Sequence, residues 1–355
     1  MIRVLIVEDS PVEQELLRHL LDADPQLEVV GVAGDGEQAI AEVARLQPDL
    51  VTMDIHMPRL NGFDTTRRIM EQHPVPIVIV SGSFSRRDLD KTFRAMEAGA
   101  LALVRKPRGI GHPAHQQDVR ELLDTVKAMA EVTVIRRWPP QRREVSPPQP
   151  LPAPPRKAEA LSVIAIGAST GGPTTLRQIL ELLPSDLPVP LLVVQHMAKG
   201  FTTGLADWLA ATTGLSVHLA RNGETPLPGH VYLAPDNVHL QLGPDRRLRL
   251  CADPPENGLR PAVASLFRSV AASCGPHAMG ILLTGMGRDG AAELGDIRRQ
   301  GGVTVAQDEG SAIVFGMPGE AVRIGAAEFV LPPGRIAQLI CRLTRKPESQ
   351  EGRPS

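Results

Sequence analysis

The sequence predicts an α/β protein made of two doubly wound parallel-sheet domains joined by a proline-rich linker. Short aliphatic runs alternate with segments of helical apolar spacing, which is typical of parallel sheets covered by helices on both faces. The alternation is broken at 133–159, where the prolines from Pro139 to Pro155 exclude both helix continuation and sheet pairing. With 355 residues, the chain is long enough for two such domains.

We predict a first domain at 1–132, the linker at 133–159, a second domain at 160–345 and a polar tail at 346–355. In the first domain the expected order is strand 4–7, helix 13–21, strand 29–32, helix 36–46, strand 50–53, helix 64–72, strand 77–80, helix 89–98, strand 101–104 and helix 119–132. In the second domain the expected strands include 163–167, 191–195, 231–234, 280–284 and 303–306, with helices such as 173–183 and 263–272 between them. Chemistry in such sheets gathers at the carboxyl ends of the strands.

The composition of the chain argues against a nucleic-acid-binding protein and against a membrane-inserted one. A net charge of −2 gives no electrostatic attraction to nucleic acid or anionic membranes, so we expect no nucleic-acid partner. No apolar run approaches the ~20 residues that cross a bilayer, and the N-terminus lacks a secretory signal. We therefore expect a cytoplasmic protein that is not inserted into a membrane. The three cysteines, Cys251, Cys274 and Cys341, match no metal-binding or redox spacing and are expected to be reduced thiols.

Carboxylates follow two of the predicted strands in the first domain. Glu8 and Asp9 follow the first strand, and Asp54 follows the third. Neighbouring strand ends would bring these like charges together, and a hard cation such as Mg²⁺ would neutralise them. Ser81 and Lys106 end the fourth and fifth strands, where a hydroxyl and a lysine suit a phosphoryl group on Asp54.

A serine corner marks the second domain. Ser169 lies in the run from Gly167 to Gly172, between an apolar strand and a helical segment. Such a corner suits either a phosphate or a nucleophile. The run lacks the lysine of a P-loop and the glycine spacing of dinucleotide-binding folds, but it matches Gly-x-Ser-x-Gly.

Two further strand ends supply partners for this serine. His196 ends the strand at 191–195, where it is placed to take the Ser169 proton, and Asp289 lies in a glycine-rich turn, where it can orient the histidine. His239, which we expect to end a strand-like segment at 237–240, is the rival base. Asp289 has an alternative role as the cap of a helix that starts near Gly290. The chain order Ser–His–Asp differs from the Ser–Asp–His order of α/β-hydrolases, which excludes that family.

Residues 1–132 resemble a response-regulator receiver domain, with Met53-Asp54-Ile55-His56-Met57-Pro58 through Gly62 as the phosphorylation segment. The resemblance implies a flavodoxin-like fold, phosphorylation of Asp54 by a histidine kinase, and contacts of Ser81 and Lys106 with the phosphoryl group. It also implies the Mg²⁺ ligands, which are Glu8, Asp9, Asp54 and the backbone carbonyl of His56. Two positions depart from the family pattern: Glu8 stands where aspartate is commoner, and Leu103 where an aromatic switch residue is usual.

Residues 160–343 resemble the catalytic domain of chemotaxis protein-glutamate methylesterases. The matching segments are Ile166–Pro173, Gln195–Met197, Gly229–Pro235, Leu283–Ala291, Gln307–Glu309 and Gly316–Pro318. The resemblance implies a Rossmann-like domain with Ser169 as the nucleophile, His196 as base and then acid, and Asp289 as the residue that orients it. Oxyanion donors are expected among the backbone amides near Thr170 and Met286.

Four residues depart from this second pattern: Lys199, Leu259, Ala262 and Ala264. We expect them to affect substrate docking and not to touch the triad.

The implied protein is a phosphorylation-gated serine esterase that acts on glutamyl γ-methyl esters of chemoreceptors and also deamidates glutamine. It would need no cofactor for ester hydrolysis, and its receiver is expected to cover the catalytic cleft until Asp54 is phosphorylated. A non-catalytic signalling module and a transcriptional regulator are the rival functions. The sequence does not support a transcriptional regulator, because the second domain has neither a basic helix-turn-helix nor an excess of Lys and Arg.

Overall fold

The computed structural model describes residues 1–82, 93–109, 111–132 and 160–344. The chain divides into two compact units, and the strands of the described residues form two parallel sheets and one hairpin. The predicted linker and tail lie outside the described residues, as does the start of the helix predicted at 89–98, of which 93–97 are helical. Among the described residues, no helix has the length and apolar character needed to span a bilayer.

The first sheet has five parallel strands in the order β2-β1-β3-β4-β5, which is the flavodoxin-like order predicted. Its strands are β1 (Ile2–Val7), β2 (Leu27–Ala33), β3 (Leu50–Met53), β4 (Ile77–Ser81) and β5 (Ala102–Arg105). Its helices with full bounds are α1 (Pro11–Asp22), α2 (Gly36–Leu46), α3 (Gly62–Gln72) and α4 (His115–Ala130). The strand order reverses between β1 and β3, so the crevice for a ligand lies at the carboxyl ends of these two strands.

Side-chain caps explain why two helices begin earlier than their apolar spacing predicts. Ser10 accepts a hydrogen bond from the Glu13 amide at 3.5 Å and precedes a proline at the first position of α1. Asn61 accepts from the Asp64 amide at 3.0 Å, which starts α3 at Gly62 and not at residue 64. The polar first turns carry no apolar signal, so periodicity alone misses them.

The second sheet has seven parallel strands in the order β14-β13-β12-β6-β7-β9-β8. Its strands are β6 (Val163–Ala168), β7 (Leu191–Gln195), β8 (Ser216–Leu219), β9 (His230–Leu233), β12 (Ala278–Leu282), β13 (Val303–Gln307) and β14 (Phe329–Leu331). Its helices are α5 (Gly172–Leu180), α6 (Thr202–Thr213), α7 (Val263–Cys274), α8 (Ala291–Arg299), α9 (Met317–Arg323) and α10 (Pro333–Thr344). The predicted parallel α/β architecture is therefore confirmed for both sheets.

One element departs from the all-parallel expectation. β10 (His239–Leu242) and β11 (Leu248–Cys251) pair antiparallel as a separate two-stranded hairpin. The turn between them is closed by the Gly243 amide, which donates to the Arg247 carbonyl at 2.8 Å. Strands of four residues are too short to show whether their partner runs parallel or antiparallel, so the sequence pattern could not distinguish this hairpin.

The second sheet also reverses its order between β6 and β12, because the chain continues from β6 to β7 on one side and from β12 to β13 on the other. Gly167 of β6 pairs there with Leu282 of β12. A Cβ at Gly167 would lie 2.3 Å from Cγ1 of Val263, the first residue of α7. Glycine is therefore required at this position for close packing of helix against strand, at the sheet edge where ligands bind in such folds.

This packing predicts the effect of adding one methyl group. Gly167→Ala should lower the free energy of unfolding of the second domain by about 1–3 kcal/mol, because the strand and α7 cannot separate without disturbing their neighbours. Gly334→Ala is the matched control, since its Cβ meets only Leu182 Cδ1, at 4.0 Å. Urea-induced unfolding of the two variants measures the difference. Equal stability would contradict the packing argument.

Candidate functional site

The first candidate site is the group of carboxylates at the reversal point of the first sheet. Glu8 follows β1 and Asp54 follows β3, and both are buried, whereas Asp9 is exposed. One carboxylate oxygen from each of the three lies within 4.8 Å of the others, as predicted from the strand ends. An all-oxygen set of this kind fits Mg²⁺.

Lys106 provides the charge that balances this cluster. It follows β5, and its Nζ lies 2.6 Å from Glu8 Oε2 and 3.3 Å from Asp54 Oδ1. Burial raises the pKa of Glu8; the hydrogen bond from Lys106 opposes this shift, and the Asp54 charge adds to it. Burial lowers the pKa of Lys106, but its hydrogen bond to Glu8 and the charges of Asp54 and Glu8 outweigh burial and raise it. The lysine therefore stays charged beside Asp54.

Ser81 adds an unsatisfied donor at the same edge. It is the last residue of β4, is fully buried, and its hydroxyl has no hydrogen-bond partner among the described residues. Buried hydroxyls are rarely left unpaired, so this one suits an acceptor that arrives later, such as a phosphoryl oxygen. The amide of His56 donates to Asp54 Oδ2 at 3.0 Å. The proposed ligand role of the His56 carbonyl stays a prediction.

The switch position next to this site carries no polar group. Leu103 lies in β5 opposite Ile79 and is buried. It has no hydroxyl that could bond Ser81, as an aromatic residue with a polar tip could.

The second candidate site begins at the carboxyl end of β6, one of the two strands between which the second sheet reverses its order. Ala168 and Gln195 are the last register pair of β6 and β7, so Ser169 and His196 leave adjacent strands at the same level. Ser169 then turns directly into α5: its carbonyl accepts from the Gly172 amide at 2.8 Å, and Gly171 has a φ of 76°. The predicted strand-to-helix corner is therefore present, and the catalytic roles of Ser169 and His196 stay predictions.

Asp289 is held by a helix other than the one expected. Its Oδ2 accepts from the Val263 amide at 2.6 Å and its Oδ1 from the Ala264 amide at 3.1 Å. Asp289 is not the N-cap residue of the next helix, because α8 begins at Ala291 and its N-cap is Gly290. The carboxylate lies at the positive end of α7, where it accepts hydrogen bonds from two backbone amides.

These contacts correct the expectation that the departing residues leave the triad untouched. Ala264 is buried, and its backbone amide bonds Asp289 directly. Ala262 is buried two residues earlier, and its backbone amide donates to the ring of His239. Leu259 forms an isolated bridge with Glu256, and Lys199 is exposed. Ala264 and Ala262 make these contacts through their backbone amides, so the chemistry of their side chains could not predict them.

His239, the rival base, is a buried structural residue. It begins β10, and the expectation that it ends a strand is wrong. Its Nδ1 accepts from the Ala262 amide at 3.2 Å and its Nε2 contacts the Pro254 carbonyl at 3.2 Å. Both ring nitrogens are engaged, so neither is available to take a proton from a serine.

The loop that carries Met286 is fixed by residues to which the sequence assigned no role. Buried Gln307 accepts from the Thr284 amide through Oε1 at 2.8 Å, and the Gly285 carbonyl accepts from the Met317 amide at 2.8 Å. A Cβ at Gly316 would lie 2.7 Å from the Gly285 carbonyl oxygen. A glutamine as the last residue of a fully buried strand is the signal that could have identified Gln307. The oxyanion roles near Thr170 and Met286 stay predictions.

Comparison with protein families matches residues 164–340 to the family described as CheB methylesterase. Residues 4–113 match the family described as response regulator receiver domain.

Curated relatives match almost the whole chain. A protein-glutamate methylesterase/protein-glutamine glutaminase of Geobacter metallireducens is 51% identical, with 97% of this chain and 99% of the relative covered. A relative of the same description from Syntrophus aciditrophicus is 50% identical, with 97% and 98% covered. Among solved structures, the CheB methylesterase catalytic domain of Thermotoga maritima is 37% identical, with a TM-score of 0.50, 52% of this chain and 100% of that chain covered.

The two amide bonds to Asp289 predict an effect on stability that is separate from any chemistry. Asp289→Asn should lower the free energy of unfolding of the second domain by about 1–3 kcal/mol, because an amide side chain offers one acceptor and places its NH₂ against the other backbone donor. Asp296→Asn is the control, since Asp296 pairs with Arg299 on an exposed helix surface and its loss should cost below about 1 kcal/mol. Urea unfolding measures both. An Asp289→Asn protein as stable as the control would contradict the capping role.

Proposed function

Since this chain belongs to the family of protein-glutamate methylesterases/protein-glutamine glutaminases, we propose that it hydrolyses glutamate γ-methyl esters and deamidates glutamines of methyl-accepting chemoreceptors. Its receiver domain makes it a response regulator of chemotaxis signalling. One observation supports the assignment of the site: Ala168 of β6 and Gln195 of β7 are a register pair, so Ser169 and His196 follow neighbouring strands at the same edge of the sheet.

In this proposal Ser169 is the nucleophile. Its Oγ bonds to the ester carbonyl carbon while its proton moves to His196, and backbone amides near Thr170 and Met286 bind the oxyanion. The intermediate breaks its bond to the methoxy oxygen, which takes the proton from His196 and leaves as methanol. Water then attacks the acyl-enzyme with His196 as base, and the glutamate carboxylate leaves as Ser169 regains its proton.

Asp289 supports the histidine through charge. Its carboxylate is held by two backbone donors, so it can stabilise the imidazolium without moving. Deamidation uses the same residues, because an amide substrate forms the same kind of tetrahedral intermediate and expels ammonia in place of methanol. Ester hydrolysis at this site requires no metal or other cofactor in the proposal.

The first sheet supplies the regulation. A histidine kinase of the chemotaxis type would phosphorylate Asp54, with Ser81 and Lys106 contacting the phosphoryl group. The residues that would hold Mg²⁺ are Glu8, Asp9, Asp54 and the carbonyl of His56, and the ion would neutralise the charge that gathers on the phosphoryl oxygens. The closeness of the three carboxylates and the position of Lys106 support this assignment. We place the enzyme in the cytoplasm, where kinase and receptor signalling domains would meet it.

Removing the nucleophile tests the esterase assignment. Ser169→Ala should lower the rate of methanol release from methylated receptor membranes by at least about a thousandfold, because in the proposed mechanism Ser169 forms the acyl-enzyme. Ser185→Ala, at an exposed loop position, is the matched control and should retain full activity. Ester hydrolysis that survives Ser169→Ala would refute the mechanism.

Phosphorylation is tested separately from the chemistry. For Asp54→Asn, the ratio of methanol release with and without a small-molecule phosphodonor should fall to about one, because the amide cannot accept the phosphoryl group. Asp124→Asn, an exposed carboxylate on α4, should keep the wild-type ratio. If Asp54→Asn were stimulated as strongly as the control, another residue would be the phosphorylation site.

A further inference from the structure

His239 lies outside the proposed triad, and its hydrogen bonds show which ring nitrogen carries the proton. It is fully buried in the first position of β10, paired with Cys251 of β11. The Ala262 amide can only donate, so Nδ1 of the ring must present its lone pair. The proton is therefore on Nε2, which donates to the Pro254 carbonyl at 3.2 Å. This assignment makes His239 a neutral imidazole in the Nε2–H tautomer.

These two bonds close the segment 254–262 at both of its ends. Within the segment, Glu256 and Leu259 exchange backbone hydrogen bonds at 3.0 and 2.9 Å. Arg260 reaches back to the carbonyls of Ala252 and Asp253 at 3.1 and 3.0 Å. The segment is therefore a tied loop, and the Nδ1 bond to Ala262 fixes the point where it enters α7.

The first turn of α7 depends on side chains from other elements. Ala262 is its N-cap residue and makes no side-chain cap bond. Three successive amides are instead bound from outside the helix: Ala262 by His239, and Val263 and Ala264 by Asp289. His239 and Asp289 thus bind neighbouring donors on one rigid turn, and a shift of that turn moves both Asp289 contacts together.

The first turn of α7 is tightly packed against the segments that carry Ser169 and Asp289. The Val263 side chain fills the space beside two glycines, since a Cβ at Gly167 or at Gly290 would lie 2.3 Å from its Cγ1. Gly167 is two residues before Ser169, and Gly290 directly follows Asp289. A displaced Val263 would therefore disturb the supports of both proposed catalytic residues.

We propose that His239 is a positioning residue for the esterase: its Nδ1 sets the first turn of α7, and that turn aims the Asp289 carboxylate. This inference rests on the proposed function, because it assigns His239 a role only if Asp289 orients the catalytic histidine. His239 itself touches no reacting atom. Its bond to Pro254 holds the far end of the loop and has no part in aiming Asp289.

Two single substitutions in the full chain each remove one of the two hydrogen bonds of the His239 ring and retain the other. His239→Asn places an amide oxygen near the position of Nδ1, so it retains the acceptor for Ala262 and loses the bond to Pro254. His239→Gln places an amide nitrogen near the position of Nε2, so it retains the donor for Pro254 and loses the acceptor. We expect kcat for methanol release to fall about tenfold in the Gln variant and to stay within about twofold of wild type in the Asn variant, with KM unchanged in the Gln variant. Equal kcat in the two variants would overturn the proposal.

A double-mutant cycle tests whether the effect passes through Asp289. In an Asp289→Ala background, His239→Gln should cause no further loss of kcat, whereas independent losses that multiply would overturn the proposal. If Asp289→Ala alone leaves kcat unchanged, the triad of the proposed function fails, and this outcome is distinct from a failure at His239.

Unmodified protein supplies a readout that does not depend on variant folding. The ¹⁵N chemical shifts of the His239 ring should show the neutral Nε2–H tautomer. A proton on Nδ1 would contradict the proposal outright, because the acceptor for Ala262 would then be absent.

Discussion

The pairing of the Asp289 carboxylate with the first two amides of α7 is the interaction on which the second site depends. A buried carboxylate needs donors, and a helix whose N-cap is alanine needs acceptors. The amides of Val263 and Ala264 donate to the two carboxylate oxygens of Asp289 at 2.6 and 3.1 Å, so the carboxylate gains its donors and the helix its acceptors. Both carboxylate oxygens are engaged by backbone, which has no rotamers to change, so the negative charge is fixed in place before any substrate arrives.

The first site also has buried carboxylates, but a side chain and not backbone amides balances their charge. Glu8 and Asp54 are balanced by Lys106, whose flexible four-carbon stem can follow a change in charge at Asp54. In the proposed function this site gains and loses a phosphoryl group and must tolerate a change of charge, which a side-chain ammonium together with a bound metal ion would provide. A carboxylate that only stabilises an imidazolium needs no such freedom. The source of the balancing charge, side chain or backbone, therefore matches the proposed role of each site.

Strand ends and residue chemistry were predictable from the sequence because they are local. The apolar runs locate the carboxyl ends of β1, β3, β6 and β7 to within one residue, and the polar residue after each run is then placed at a sheet edge. The contacts that support those residues were not predictable. Val263 reaches Asp289 across 26 positions of sequence, and His239 reaches Ala262 across 23. These bonds use backbone amides, which every residue type except proline possesses, so no residue identity marks them in advance.

The Gly-x-Ser-x-Gly run shows how one pattern arises from different physical requirements. Gly167 is needed because Val263 of a distant helix packs onto its Cα, and Gly171 because the turn requires a φ of 76°. The first requirement comes from tertiary packing and the second from the local turn. Any fold that brings a helix onto the strand before a serine corner will select the same two glycines, whatever the order of its other catalytic residues along the chain. The pattern therefore reports the shape of the corner and does not by itself identify the family.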